Sequence, residues 1–159
     1  MSLNMRVFAI SVAAVGLLAS RSTAPAMSRT TDRPNILVVI ADQWRAEAFG
    51  SMGNRDVQTP NLDRFAANSV KLSNAVATIP VCCPTRAALL TGRRGLRTGV
   101  FMNDVPLDPT LPTMARSLAE AGYDTGFIGK WHLDAHGRSN FTPPDRRCGF
   151  RFWRALECT

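Results

Sequence analysis

Two adjacent cysteines in front of a proline are the first residues in this sequence whose types and spacing could do chemistry. Pro84 is typical of a helix start, so Cys82 and Cys83 are predicted to lie just outside a helix N-terminus. There the helix dipole favours a thiolate, free backbone N–H groups bind anions, and Arg86 and Arg93 can face the same anion. The dipeptide alone leaves a second interpretation open, in which both cysteines are small apolar core residues.

A lysine and a histidine follow a short apolar segment further along the chain. Lys71 and Lys130 are the only lysines among 19 basic residues, so the choice of lysine at 130 favours a compact point charge over the planar fork of arginine. His132 beside it can move protons near neutral pH. Two alternatives stay open for His132: a core histidine, or a transition-metal pair with His136, for which no third ligand follows at the usual spacing.

Asp42 and Gln43 come directly after an apolar, β-branched run, Asn35–Ala41. A run that is apolar on both faces predicts a buried strand of a parallel sheet, and ligands collect at the carboxyl ends of such strands. Carboxylate and amide oxygens suit a hard divalent cation. A lone aspartate at a strand end is usually a turn or cap residue, so this interpretation depends on the other motifs.

The elements that must position these residues alternate between strands and helices. We predict a strand over Asn35–Ala41, a helix starting at Thr59-Pro60, a short strand or loop over Val70–Ala77, helices over Pro84–Leu90 and Thr110–Ala121 that end at Gly92 and Gly122, and a strand over Asp124–Gly129. This order predicts an α/β fold with a mostly parallel sheet flanked by helices. Because so few strands leave an open sheet edge, we expect the domain to be truncated.

Composition is that of an ordinary globular protein of about one domain. The chain has 159 residues, of which 45% are hydrophobic and 19% charged, and a formal net charge of +7. It has no basic run with interleaved aromatic residues and no zinc-finger spacing, so we predict no nucleic-acid partner. Four cysteines suggest an oxidising compartment, in which Cys148 and Cys158 could pair.

The N-terminus has the three parts of a secretory signal peptide. Arg6 is positive, Val7–Ala19 is an uncharged apolar run too short to span a bilayer comfortably, and Ala24-Pro25-Ala26 offers small residues for cleavage. A membrane anchor is the alternative. We therefore predict a secreted or periplasmic protein without stable membrane insertion, with a signal peptide over residues 1–26, a flexible lead-in over 27–34 and a catalytic domain over 35–159.

Three segments together resemble the signatures of the type I sulfatases. Residues 82–93, CCPTRAALLTGR, are similar to the pattern Cys-x-Pro-Ser/Ala/Thr-Arg followed by Leu-Thr-Gly-Arg. Residues 122–132, GYDTGFIGKWH, are similar to the second signature, and residues 35–43, NILVVIADQ, to the first strand of the family, which ends in Asp-Asp or Asp-Gln. Thr59–Asp63 matches the usual Thr-Pro-Asn-Leu-Asp helix start.

This resemblance implies a fold and a chemistry. The chain would be the N-terminal part of an alkaline-phosphatase-like catalytic domain, and a formylglycine-generating maturation enzyme would oxidise Cys82 before folding. The hydrated formylglycine would attack the sulfur of a sulfate ester or sulfated glycan. The implied catalytic residues are Cys82, Arg86, Lys130 and His132, with Lys130 and His132 also binding substrate, and the implied ligands of Ca²⁺, or of Mg²⁺ in its place, are Asp42, Gln43 and Cys82.

The resemblance also limits what is expected of the chain alone. The later metal and sulfate ligands of the family have no counterpart in this sequence, so we expect residues 1–159 to bind metal poorly and not to turn over, whereas the full-length product would be a sulfatase. Two other functions stay open. One is a formylglycine-dependent phosphonate monoester or phosphodiester hydrolase, and the other is a non-catalytic secreted protein that binds sulfated glycans through its arginines.

Overall fold

The computed structural model describes residues 33–158, and the chain divides into one unit up to Val39 and a second from Ile40 onward. In the first unit, residues 33–39 form neither helix nor strand. Their apolar side chains are exposed, Leu37 at 87% and Val39 at 82%. The predicted signal peptide and most of the lead-in lie outside the described residues.

The prediction of a strand over Asn35–Ala41 is wrong, because no strand is formed there. β-Branched residues favour an extended backbone, but a strand also needs a neighbour that completes its hydrogen-bond ladder. The sheet within residues 33–158 consists of two strands from later in the chain, and neither pairs with this run. The composition of this run favours a strand, but no other strand pairs with it among the described residues.

The described part of the second unit combines helices with a small sheet, which confirms the predicted α/β class. Its helices are α1 (Pro60–Ala67), α2 (Cys82–Thr91), α3 (Gly95–Thr98) and α4 (Met114–Glu120), its strands are β1 (Gly126–Lys130) and β2 (Phe152–Leu156), and single 3₁₀ turns cover Ala46–Ala48, Gly50–Met52 and Pro144–Arg146. Val70–Ala77 is a loop. Within residues 33–158 no helix has the length and apolar character needed to cross a membrane.

Two helix starts differ from the prediction for identifiable reasons. Helix α2 begins at Cys82, two residues before Pro84, so both cysteines lie inside the first turn rather than outside the helix. Proline fits there because the first four N–H groups of a helix have no intrahelical partner. Helix α4 begins at Met114 because the Thr113 hydroxyl caps it, accepting a 3.3 Å hydrogen bond from the Arg116 N–H.

The sheet is a parallel pair in which Lys130, the last residue of β1, lies opposite Leu156 of β2. The backbone N–H of Trp131 extends this pairing by donating to the Leu156 carbonyl at 2.7 Å. Strand β1 agrees approximately with the strand predicted over Asp124–Gly129, whereas β2 was not predicted. The position of Lys130 therefore depends on a strand that lies 26 residues further along the chain.

An aromatic cluster packs against the sheet and fixes the segment after β1. Trp131 is 1% exposed and meets Phe127 and Trp153 edge-on, with ring centroids 5.1 and 5.0 Å away. Leu133 is also buried, and its carbonyl accepts a 2.9 Å hydrogen bond from the Leu107 N–H. Trp131 and Leu133 thus anchor the backbone on both sides of the intervening histidine.

No disulfide joins any of the four cysteines, all of which lie among the described residues. The Cys148–Cys158 bridge considered from the sequence is not formed, and Cys148 lies in the hydrophobic core at 1% exposure. Burial raises the pKa of the Cys148 thiol to about 11. Cys148 is therefore an apolar packing residue in this structure.

Candidate active site

The two adjacent cysteines occupy different environments at the start of α2. Val81 before them is extended and caps the helix, so Cys82 and Cys83 are its first two residues. Consecutive side chains of a helix point about 100° apart. Cys83 is 1% exposed in the core, where burial raises the pKa of its thiol to about 11, whereas Cys82 is partly exposed. The accessible sulfur of the pair is that of Cys82.

Asp42 and Lys130, from distant parts of the chain, contact Cys82, and Arg86 of the same helix contacts Asp42. Asp42 Oδ1 lies 4.0 Å from the Cys82 sulfur, although 40 residues separate the two. Lys130 Nζ lies 3.7 Å from the same sulfur and 2.9 Å from Asp42 Oδ2. Arg86 Nη2 donates to Asp42 Oδ1 at 3.0 Å. The structure thus brings together four of the residues singled out in the sequence.

Arg86 links the helix that carries Cys82 to the end of β1. It lies one turn after Cys82 on α2 and is 8% exposed. One arm of its guanidinium donates to Asp42, and the other donates to the Lys130 carbonyl at 2.5 Å. Because both arms bind protein atoms, Arg86 holds the carboxylate and the Lys130 backbone in place.

The charges of the cluster reinforce one another. The hydrogen bond from Lys130 lowers the pKa of Asp42 most; burial opposes it, and Arg86 adds to the lowering. Burial opposes the charge of Lys130, but its hydrogen bond to Asp42 and the nearby negative groups outweigh burial and raise its pKa. Two cations therefore flank one carboxylate beside Cys82, which leaves an excess of positive charge suited to an anionic ligand.

A cavity of about 510 Å³ opens beside Cys82. Asp42, Gln43, Arg86 and Asn103 line it together with Cys82. Gln43 has a left-handed backbone, with φ of 55°. The cavity therefore places the partly exposed sulfur next to charged and amide groups, with room for a small polar ligand.

His132 lies two residues beyond Lys130 and contacts a different carboxylate. Its side chain is 3% exposed, and its Nε2 lies 3.2 Å from Asp104 Oδ1. Its Nδ1 is buried and has no hydrogen-bond partner among the described residues. His136, considered above as a metal partner, instead turns its Nδ1 to the Asp134 carbonyl at 2.6 Å.

Comparison with known proteins assigns the chain to a family. Residues 34–157 match the family model described as Sulfatase. The ulvan-active sulfatase of Formosa agariphila is 48% identical over 127 residues, which make up 80% of this chain and 25% of that protein. The chain belongs to the sulfatase family. It spans about a quarter of the length of that relative.

Solved structures confirm the predicted fold. The yidJ sulfatase structure from Bacteroides fragilis superposes with a TM-score of 0.69 at 32% identity, covering 74% of this chain and 30% of that one. The phosphonate monoester hydrolase of Agrobacterium radiobacter superposes with a TM-score of 0.63 at 29% identity, covering 77% and 26%. The fold is therefore the alkaline-phosphatase-like one that the signatures implied.

The described residues do not fit a complete calcium site. Asp42 supplies the carboxylate, but its two oxygens lie 3.0 and 2.9 Å from cationic nitrogens of Arg86 and Lys130. Among residues 33–158 no group of three His, Cys, Asp or Glu side chains could hold a metal ion. Since calcium takes six to eight oxygens, metal binding by Asp42, Gln43 and Cys82 stays a prediction that requires further donors.

The loop residues Asn103 and Asp104 were not predicted from the sequence as part of the site. Asn103 Oδ1 accepts a 3.0 Å hydrogen bond from the backbone N–H of Cys83 and so caps α2 from a distant loop. Asp104 reaches His132, as described above. In the sequence the two form an Asn-Asp pair that is typical of an ordinary turn, and only the fold shows what they contact.

Proposed function

We propose that the protein is a sulfuric ester hydrolase that acts through a formylglycine derived from Cys82. One observation carries the proposal: Asp42, Arg86 and Lys130 meet around Cys82 at the mouth of α2. These are residues that the sulfatase signatures single out, and they lie 44 to 88 positions apart in pairs. Membership of the sulfatase family supports the same reaction class.

Position 82 is suited to carry the nucleophile. Its side chain is partly exposed and lines the cavity, so the oxidised residue has room there. Hydrated formylglycine supplies a hydroxyl group that attacks sulfur. The dipole of the α2 N-terminus stabilises negative charge that develops next to it.

Lys130 and Arg86 take different parts in this proposal. Lys130 Nζ lies between the Asp42 carboxylate and the Cys82 sulfur, so it is placed to bind a sulfate oxygen as the ester arrives. Arg86 is occupied by Asp42 and the Lys130 carbonyl and keeps both in register with position 82. In this proposal Lys130 binds the substrate, and Arg86 positions Asp42 and Lys130.

His132 is proposed to move the proton that the departing alcohol needs. Its ring is buried beside the Lys130 segment, and one ring nitrogen has no partner among the described residues. A histidine can accept and return a proton near neutral pH.

The remaining parts of the proposal concern the whole protein. We propose a sulfated glycan or another sulfate ester as substrate, a formylglycine-generating enzyme as maturation partner, and a secreted or periplasmic location. A divalent cation, Ca²⁺ or Mg²⁺, enters only with donors in addition to Asp42 and Gln43, so no step above passes through it. The relative that is described as ulvan-active makes ulvan the first glycan to test.

The test expresses the protein from its complete coding sequence together with a formylglycine-generating enzyme. We expect mass spectrometry to find formylglycine at position 82, and hydrolysis of 4-methylumbelliferyl sulfate or of ulvan oligosaccharides to exceed that of a phenyl phosphonate monoester. Cys82→Ala should abolish hydrolysis, whereas Cys83→Ala, the matched control, should retain it. An unmodified thiol at 82 would refute the mechanism, and preference for the phosphonate ester would establish the alternative activity.

A further inference from the structure

The loop at residues 103 and 104 contacts both helix α2 and His132. The role inferred here for Asp104 of this loop rests on the proposed function. Asn103 Oδ1 accepts a hydrogen bond from the Cys83 N–H, and the Asp104 N–H lies 3.4 Å from the Cys83 sulfur. These contacts tie the loop to the first turn of α2. The side chain of Asp104 then extends from this anchored backbone to the histidine.

The Asp104 carboxylate is an anion with two different partners. Its Oδ2 accepts a 2.7 Å hydrogen bond from Arg138 Nη2, and its Oδ1 lies 3.2 Å from His132 Nε2. The hydrogen bond from Arg138 lowers the pKa of Asp104 most, and His132 lowers it further. Each oxygen is therefore committed to one neighbour, with the guanidinium on one side and the imidazole on the other.

Both members of the Asp104–His132 contact have a strained backbone. Asp104 has φ of 60° and His132 has φ of 55°, in the left-handed region that residues other than glycine enter at a cost. Such conformations concentrate at functional sites. The fold thus holds these two side chains face to face against a local preference of both residues.

The contact determines which nitrogen of His132 carries the proton. A carboxylate only accepts hydrogen bonds, so the Nε2 that faces Asp104 must be the N–H. In the neutral ring the other nitrogen, Nδ1, then has a free lone pair, and it is buried without a hydrogen-bond partner among residues 33–158. His136 has the opposite arrangement, because its Nδ1 donates to a carbonyl.

We propose that Asp104 is a positioning residue that holds His132 in the Nε2–H tautomer, so that Nδ1 is the atom that exchanges a proton during sulfate-ester cleavage. Nδ1 accepts one proton from a reacting hydroxyl and returns one proton to the departing alkoxide, so the imidazole is unchanged over a cycle. Asp104 stays ionised throughout and touches the histidine rather than the substrate.

The decisive measurement is the tautomer of His132, read from ¹⁵N chemical shifts of histidine-labelled chain above about pH 8, where imidazole is neutral. The chain has two histidines, and a His136→Gln variant assigns their signals. We expect Nε2–H at His132 and Nδ1–H at His136 in the native chain. A native His132 in the Nδ1–H form would overturn the proposal.

Asp104→Asn tests the role of the carboxylate with little change of shape. Asparagine tolerates the left-handed backbone, and its carbonyl oxygen stays on the Arg138 donor, so its NH₂ group turns toward His132 and requires a lone pair on Nε2. We expect His132 to shift to Nδ1–H while His136 does not change. The matched control is Asp124→Asn, which alters an exposed ion pair with Arg151 and should leave both tautomers as they are. An unchanged His132 in Asp104→Asn would overturn the proposal.

Kinetics of the mature protein from its complete coding sequence provide the second measurement. Asp104→Asn should lower kcat about a hundredfold, in the range that a proton-transfer group contributes, with KM changed by less than about threefold. A loss confined to KM would contradict the positioning role. If the native protein cleaves no sulfate ester, the proposed function fails, and the tautomer measurement still decides the role of Asp104.

Discussion

Replacement of Arg86 by lysine tests whether the guanidinium fork holds the candidate site together. The Arg86 side chain is 10% exposed, and its two arms reach Asp42 Oδ1 at 3.0 Å and the Lys130 carbonyl at 2.5 Å. Lysine keeps the positive charge but has a single nitrogen on a differently shaped stem. It can satisfy the carboxylate or the carbonyl, but not both at these positions.

The expected cost follows from those two contacts. A lost hydrogen bond from a charged donor costs about 1.5–3 kcal/mol when its partner is buried. The Asp42 side chain is 39% exposed, so solvent screening limits its pairing with Arg86 to at most about 1 kcal/mol. We therefore expect Arg86→Lys to lower the free energy of unfolding by about 2 kcal/mol, nearly all of it from the Lys130 carbonyl.

Urea unfolding followed by circular dichroism measures this change. With a slope of about 1–3 kcal/mol per molar urea, the midpoint should fall by roughly 1 M. The matched control is Arg151→Lys, whose side chain is 67% exposed and pairs with a fully exposed Asp124, and its midpoint should not move. Equal midpoints for the Arg86 and Arg151 variants would refute the claim that a buried fork organises the site.

Three further outcomes follow from the site. In chain made without a maturation enzyme, iodoacetamide at pH 8 should label Cys82 well before Cys83. Burial raises the pKa of the Cys83 thiol to about 11, which leaves roughly two-hundredfold less thiolate than an ordinary thiol has at that pH. Equal labelling of the two cysteines in tandem mass spectra would contradict this. The pKa of Asp42 is lowered, so its ionised form stabilises the folded state. The stabilisation that Asp42→Asn removes should be constant above about pH 5 and should disappear as pH falls through the lowered pKa of the folded state. If the urea midpoints of the native and Asp42→Asn chains differ equally at pH 3 and pH 7, this expectation is wrong. In calorimetric titration, calcium should bind the chain with a dissociation constant above about 1 mM, because no three His, Cys, Asp or Glu side chains among the described residues form a group that could hold a metal ion. Micromolar binding would disprove this.

Local signals predicted three of the four described helices, and strand β1, approximately. Thr59-Pro60 marked the start of α1, Gly92 marked the end of α2, and the run after Asp124 predicted β1. Each depends on neighbours within a few positions, such as a proline in the first turn or a glycine with positive φ at the end.

Features that depend on distant partners could not be predicted in this way. The residues of strand β2 show no clear alternation of apolar and polar side chains in the sequence. The run at Asn35–Ala41 forms no strand despite its β-branched composition. Likewise, the sequence singled out His132 but not Asp104, 28 residues away, because an Asn-Asp pair does not show what it will contact. The motifs identified the residues gathered around Cys82, and the roles of these residues remain predictions.

The parallel pairing of Lys130 with Leu156 has a consequence for biosynthesis. Lys130 is held beside position 82 only after β2 has been made, and Leu156 leaves the ribosome 74 residues after Cys82. At roughly 5–20 residues per second, translation separates the two events by about 4–15 s. Under the proposed function, this is the interval in which the maturation enzyme reaches Cys82, before β1 and β2 pair.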